Sequence, residues 1–326
     1  MLVFNAGVVA VSFFFVLSGF ILAYNYADLF REDVSLASYK RFIWDRLTKI
    51  YPVHLLALGL VMPIALLSPN LPLDWRAVPV HVLLLQSWWP SATPQFTEYL
   101  NVPSWALSCE WFFYVLAPVV LFFTFGGNRR WALVAATMLY LCGLGWFLSQ
   151  NQSDSVRMYF MSWFAPTRFL EFLAGVFLAR GFLHSSSRLV ETSVLLQAAG
   201  ILLIVAGAIS RQSAAWPMWG GLLYVPGSAL LILGLAFGRG LFAAHLSHPW
   251  VNRLGLASFS FYMIHAPLIR AAKGACLYFG WEVHSWPLFW GVTFTLLVFI
   301  QAAALGVLLA FESPLQRRLR SLVKGA

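Results

Sequence analysis

Charge is what this sequence has least of. Asp, Glu, Lys and Arg make up 10% of its 326 residues, while 60% are hydrophobic. Soluble proteins carry about 25% charged residues, so the shortage excludes a soluble enzyme and points to an integral membrane protein. Cysteine is scarce as well. Cys109, Cys142 and Cys276 all fall in apolar segments, with no disulfide framework and no zinc-ligand spacing, so no metal is expected. A GxSxG elbow, a P-loop and a dinucleotide fingerprint are all lacking. So is a basic flank before the first apolar stretch, which leaves no recognisable cleavable signal.

The balance of what charge there is favours base, with a net +9. The basic residues sit in short loops between apolar runs, where the positive-inside rule explains them more simply than nucleic acid does, so no nucleic-acid partner is expected. Apolar segments fall at about 5–26, 51–68, 77–89, 106–125, 131–149, 158–180, 194–210, 219–237, 256–279 and 286–311. At 1.5 Å per residue all but one approach the ~30 Å of a hydrocarbon core. The exception, 77–89, is short and ends in Trp88 and Trp89, as an interfacial or re-entrant helix would. With that segment demoted, fifteen Lys and Arg residues fall on one side and three on the other, placing the C-terminus on the cytoplasmic side. The expected fold is all-α, a polytopic transmembrane helical bundle of about nine spans plus one short helix, forming a single domain over 1–326. This threading starts the chain on the outer face with nothing to hold it there, so one more helix is expected before Met1.

Ionisable groups within apolar segments need partners or a wet cavity, which makes them the first candidates for chemistry. Glu110 lies just inside a span whose polar approach is Asn101, Ser104 and Ser108. It either reaches headgroups and caps its own helix, or serves a site. Arg168 and Glu171 are three residues apart, so they share a helix face. They form either a structural ion pair or a site in which Arg168 holds an anionic donor or an oxyanion. His265, ~14 Å deep by the helical rise, either bonds a neighbouring carbonyl or works as a general base, with Tyr262 one turn earlier to orient it. By depth, Arg168, Glu171 and His265 can share one cavity. Lys40, Arg41, Arg46 and Lys49 cluster before a helix, as ordinary cytoplasmic charge or as a seat for a phosphorylated donor. In FFFVLSGF, Ser18 and Gly19 amid aromatics mark close helix packing.

In order, FFFVLSGF at 13–20, RLTKIYP at 46–52, PSWALSCEWFFY at 103–114, RFLEFLAG at 168–175, LASFSFYMIHAPL at 256–268 and FESP at 311–314 resemble the acyltransferase family 3 membrane proteins. The resemblance implies an O-acyltransferase that takes an acyl group, acetyl above all, from cytoplasmic acyl-CoA. The acceptor is then a hydroxyl of a glycan or small molecule presented at the lipid bilayer. It assigns Arg46 and Lys49 to the donor, with Arg41 beside them to compensate for the Lys, and matches Glu110 to the family's acid. The reading of the residues themselves adds His265 and Arg168 to catalysis, and Asn101, Trp105, Glu171 and Tyr262 to the acceptor. Three departures stand out. Lys49 replaces the second Arg of the family's Arg-x-x-Arg phrase, Ala106 replaces a Ser, and the family's first helix, with its basic residue and catalytic His, does not precede Met1. A misplaced start or an inactive remnant would account for the last. The rival from another class is a transporter or flippase of a lipid-linked glycan, which predicts related halves that the sequence does not show.

Overall fold

The computed structural model describes residues 2–67, 74–88, 100–150, 152–185, 190–210, 217–281 and 285–324. Trp89 lies outside them, as do Arg188 and Arg211 of the charge comparison. Helix is the only regular structure among the described residues. The principal helices are α1 Leu2–Phe30, α2 Leu36–Leu67, α3 Ala77–Val82, α4 Ser104–Phe125, α5 Arg130–Ser149, α6 Asp154–Ser162 and α7 Ala165–Leu183. They continue with α8 Ser193–Ser210, α9 Val225–Ala236, α10 Leu241–Leu246, α11 Pro249–Leu256, α12 Ser258–Tyr278, α13 Trp286–Val307 and α14 Ser313–Lys324.

Among the described residues, six helical stretches are long and apolar enough to cross a membrane: Gly7–Phe30, Leu36–Leu67, Ser104–Phe125, Arg130–Ser149, Ser193–Ser210 and Trp286–Leu322. The protein is an all-α membrane helical protein. In α5 no residue is buried although the helix is apolar throughout, as hydrocarbon surroundings require. Of the three other segments of the nine-span reading, α7 holds Arg168, Glu171 and Arg180, α12 holds His265, Arg270 and Lys273, and the helical stretch Gly221–Ala236 is apolar but shorter. The stretch from 77 folds as the six-residue α3 and a single 3-10 turn, Gln86–Trp88. At 1.5 Å per residue neither can span ~30 Å.

The helices group into two compact units, one of residues 1–40 and 108–246, the other of 41–107 and 247–326. In the first, α1 packs on α7 with backbones nearly touching. A Cβ on Gly19 would come within 2.0 Å of the Phe172 carbonyl oxygen, and one on Gly175 within 1.9 Å of the Val16 carbonyl oxygen. Small residues allow this approach where lipid leaves packing to drive association. Beside that seam, the ring centroids of Phe15 and Phe113 lie 5.0 Å apart and those of Phe113 and Phe172 5.3 Å apart.

In the second unit, Leu58, Val61 and Ala65 of α2 form a core with Ala77 and Leu100. A second core joins Ala257, Ile264, Ile300 and Ala304 at the contact of α12 with α13. The indole N–H of Trp44 donates to the Leu319 carbonyl at 3.0 Å, and Arg320 lies 3.5 Å from Asp45, so α14 is tied to the start of α2. Outside the spans, Arg76 makes a forked contact with Asp74, both bonds at 3.0 Å, which holds that carboxyl below the usual carboxylate range.

Candidate functional site

The first unit contains Glu110, Arg168 and Glu171. Glu110 sits in the second turn of α4, and its Oε2 accepts the Tyr114 hydroxyl proton at 3.1 Å. Tyr114 is one turn further along the same helix, so the acid is held on the helix side by a phenol. Arg168 and Glu171 meet as their spacing predicts, Nη1 to Oε1 at 2.9 Å, at 1% and 0% exposure. The other guanidinium nitrogen, Nη2, donates to Ser12 Oγ at 3.2 Å, and the Phe15 ring lies 5.1 Å beneath the charge. Gly221 closes over the pair, since a Cβ there would fall 1.7 Å from Nη1 and 2.4 Å from Glu171 Oε1. Arg168 is thus held by Glu171, Ser12 and the Phe15 ring, an arrangement that a structural ion pair would also show.

The second unit contains Arg41, Arg46 and Lys49 of the basic cluster, and His265. Arg41 and Lys49 are exposed and Arg46 is half-buried, with its guanidinium 5.7 Å from the Phe42 ring centroid. Below them the polypeptide does something unusual. Residues Leu308–Glu312, between α13 and α14, form a π-helical turn, a feature that often marks functional sites. Glu312 at its end is nearly buried, accepts the Ser260 hydroxyl at 2.5 Å and feels the charge of Lys49. His265 Nδ1 lies 2.7 Å from the Tyr262 carbonyl oxygen. Facing an acceptor, Nδ1 must carry the proton, which leaves the lone pair on Nε2. Tyr262 thus meets His265 through its backbone carbonyl, and its ring lies 5.8 Å from the imidazole centroid.

Asn101 and Trp105 belong to a network that sequence reading passed over. His54 Nε2 lies 2.9 Å from the His81 carbonyl oxygen, and His81 Nδ1 lies 3.4 Å from Ser104 Oγ. Ser104 Oγ in turn donates to the Asn101 carbonyl at 2.6 Å. The Gln86 amide nitrogen donates to the Ser104 carbonyl at 2.7 Å, Ser87 donates to the Trp105 carbonyl at 2.7 Å, and Asn101 Nδ2 donates to the Met263 carbonyl at 3.1 Å. His54, His81, Gln86, Asn101 and Ser104 are all completely buried. Among the described residues, His54 Nδ1, Gln86 Oε1 and Asn101 Oδ1 have no hydrogen-bond partner. An unmatched buried polar atom costs about 1–3 kcal/mol, so three together are a large local expense. The signal available in sequence was weak: His54 and His81 lie near segment ends, where polar residues ordinarily mean an interface. No group of His, Cys, Asp and Glu able to hold a metal occurs among the described residues.

The class is defined by the chain as a whole. Residues 1–322 match the family described as the acyltransferase domain, and the chain belongs to this family, acyltransferase family 3. It is an acyltransferase enzyme, in keeping with O-acyl transfer. It is 32% identical over 284 residues to an acyltransferase, MdmB, of Streptomyces mycarofaciens, a match covering 81% of this chain and 68% of the relative. It is 34% identical over 142 residues to the exopolysaccharide production protein ExoZ of Rhizobium meliloti (strain 1021), covering 42% of this chain and 40% of that protein. No solved structure matches.

Proposed function

We propose that the protein moves an acyl group, acetyl in the first instance, from cytoplasmic acyl-CoA to a hydroxyl of a glycan or small molecule at the inner membrane. In this reading nine spans cross the bilayer and the C-terminus is cytoplasmic. The observation that carries the donor side is the start of α2, where Arg41, Arg46 and Lys49 stand on one helix ahead of its apolar length. Two or three cations in a row suit the phosphates of CoA, and Arg is the better partner for each because its guanidinium binds phosphate through two parallel bonds. His265, with its Nε2 lone pair set by the Tyr262 carbonyl, is arranged as a base. Glu110 positions the acceptor hydroxyl. The name of the Rhizobium relative supports a polysaccharide acceptor.

The reaction is a simple exchange. The acceptor oxygen attacks the thioester carbonyl carbon, the C–S bond breaks, and the hydroxyl proton passes through a base to the departing thiolate. The test is a deletion strain of the source organism. Its surface glycan should lack an ester that NMR detects in the parent, and membranes holding the protein should transfer label from acetyl-CoA to glycan extracted from that strain. An ester profile identical in parent and deletion strain overturns the proposal.

A further inference from the structure

The buried network of the second unit has a chemical polarity that the hydrogen bonds define. His54 Nε2 faces a carbonyl oxygen, so it carries the ring proton and Nδ1 presents a lone pair. Gln86 donates to the Ser104 carbonyl at 2.7 Å and the Ser104 hydroxyl at 3.0 Å, and Asn101 donates to the Met263 carbonyl at 3.1 Å, while the side-chain oxygen of each is unmatched. All three unmatched atoms are therefore acceptors. They come from three separate stretches of chain, α2, the 3-10 turn and the approach to α4, joined through His81 and Ser104.

We infer that His54, Gln86 and Asn101 form a binding site for an uncharged substrate group rich in O–H or N–H hydrogens. A phosphate or carboxylate would meet three unmatched acceptors, so an uncharged donor group fits better. Two sources supply the right chemistry: the hydroxyls of the acceptor and the amide N–H groups of the pantetheine arm. The inference rests on the acyl-transfer reading for the identity of these substrates. It goes beyond that reading in assigning them a site within the second unit, separate from the basic cluster.

The experiment uses the full-length protein in native membranes and two variants, His54→Gln and Gln86→Met. The first keeps a donor for the His81 carbonyl while losing the imidazole lone pair. The second removes an acceptor, together with the amide bonds to Ser104, without touching α2. Each should raise KM about 3- to 10-fold, the value of one hydrogen bond to an uncharged group. A rise in KM for glycan from the deletion strain identifies the hydroxyl source, and a rise in KM for acetyl-CoA the pantetheine source. The salt dependence of acetyl-CoA binding should match the parent in both variants. Unchanged KM for both substrates means that the three acceptors are met by water alone, and the inference falls. Failure of the broader reading shows separately, as a parent protein that transfers no label.

Discussion

The hydroxyl of Ser260 on α12 lies 2.5 Å from Oε2 of Glu312, the last residue of the π turn, although 52 residues separate them in the chain. Lys49 acts on the same carboxyl from α2. Three elements of the second unit thus meet at one acid, beside the basic cluster. Ser260→Ala removes the hydrogen bond and leaves Glu312 buried with less support. A hydrogen bond to a carboxylate contributes about 1.5–3 kcal/mol, so the variant should melt several degrees lower in detergent. Ser260→Thr, which keeps the hydroxyl, should recover most of that. Equal melting temperatures for parent and Ser260→Ala would show that the contact does not support the π turn.

The pair in the first unit invites a different test. Removing one partner of a buried ion pair costs about 3–5 kcal/mol because a charge is left unmatched, whereas replacing both is often neutral. Arg168→Met and Glu171→Leu should each lower membrane abundance and melting temperature, and the double variant should recover. The decisive readout is acyl transfer by the double variant. Activity near the parent's assigns the pair to holding α1, α7 and the Gly221 segment together. A recovered fold with transfer abolished assigns Arg168 to the chemistry.

Glycines supply the third prediction. Gly19→Ala or Gly175→Ala drives a Cβ into the backbone of the facing helix, at 2.0 Å and 1.9 Å. Since neither backbone can give way as a side chain would, each should destabilise by more than the 1–3 kcal/mol, roughly, of ordinary overpacking. Gly59, on the exposed side of α2, meets nothing within 4 Å, so Gly59→Ala should be neutral or gain up to about 1 kcal/mol of helix propensity. Thermal unfolding of the three variants side by side checks the ranking. A Gly175→Ala protein as stable as Gly59→Ala would remove the close α1–α7 seam.

These residues also show what a sequence can and cannot reveal. The close packing at Gly19 was legible because small residues within an aromatic run have one common use in lipid. The Arg168–Glu171 pair was legible because a spacing of three is a property of a single helix. The short helix at 77 was legible from length alone. By contrast, His54 and His81 are 27 residues apart, and Asn101 meets Met263 across 162. No periodicity within one segment encodes such meetings. The hydrophobic pattern says which helices form and how long they are, but in a chain this apolar nearly every face reads alike. It therefore does not say which helix ends converge. The π turn at Leu308–Glu312 escaped for a related reason: its pattern is that of an ordinary helix.

The basic start of α2 carries the donor side of the proposal, and its two matching positions are not equivalent. Arg46 offers a planar fork to a phosphate, whereas Lys49 offers a point charge and is electrostatically engaged with Glu312. Arg46→Ala should therefore weaken acetyl-CoA binding more than Lys49→Ala does, and Lys49→Arg should leave it unchanged or tighten it. Binding through phosphates is screened by salt, with a Debye length of about 10 Å at 0.1 M and about 3 Å at 1 M. The parent's affinity for acetyl-CoA should fall steeply across that range, and the slope should flatten in Arg46→Ala. Dephospho-CoA, with one phosphate fewer, should lose less on the Arg46→Ala change if Arg46 holds the ribose phosphate, and as much as acetyl-CoA loses if it holds the diphosphate. Affinity that ignores both Arg46→Ala and salt would leave the cluster as ordinary cytoplasmic charge, and the donor would have to enter elsewhere.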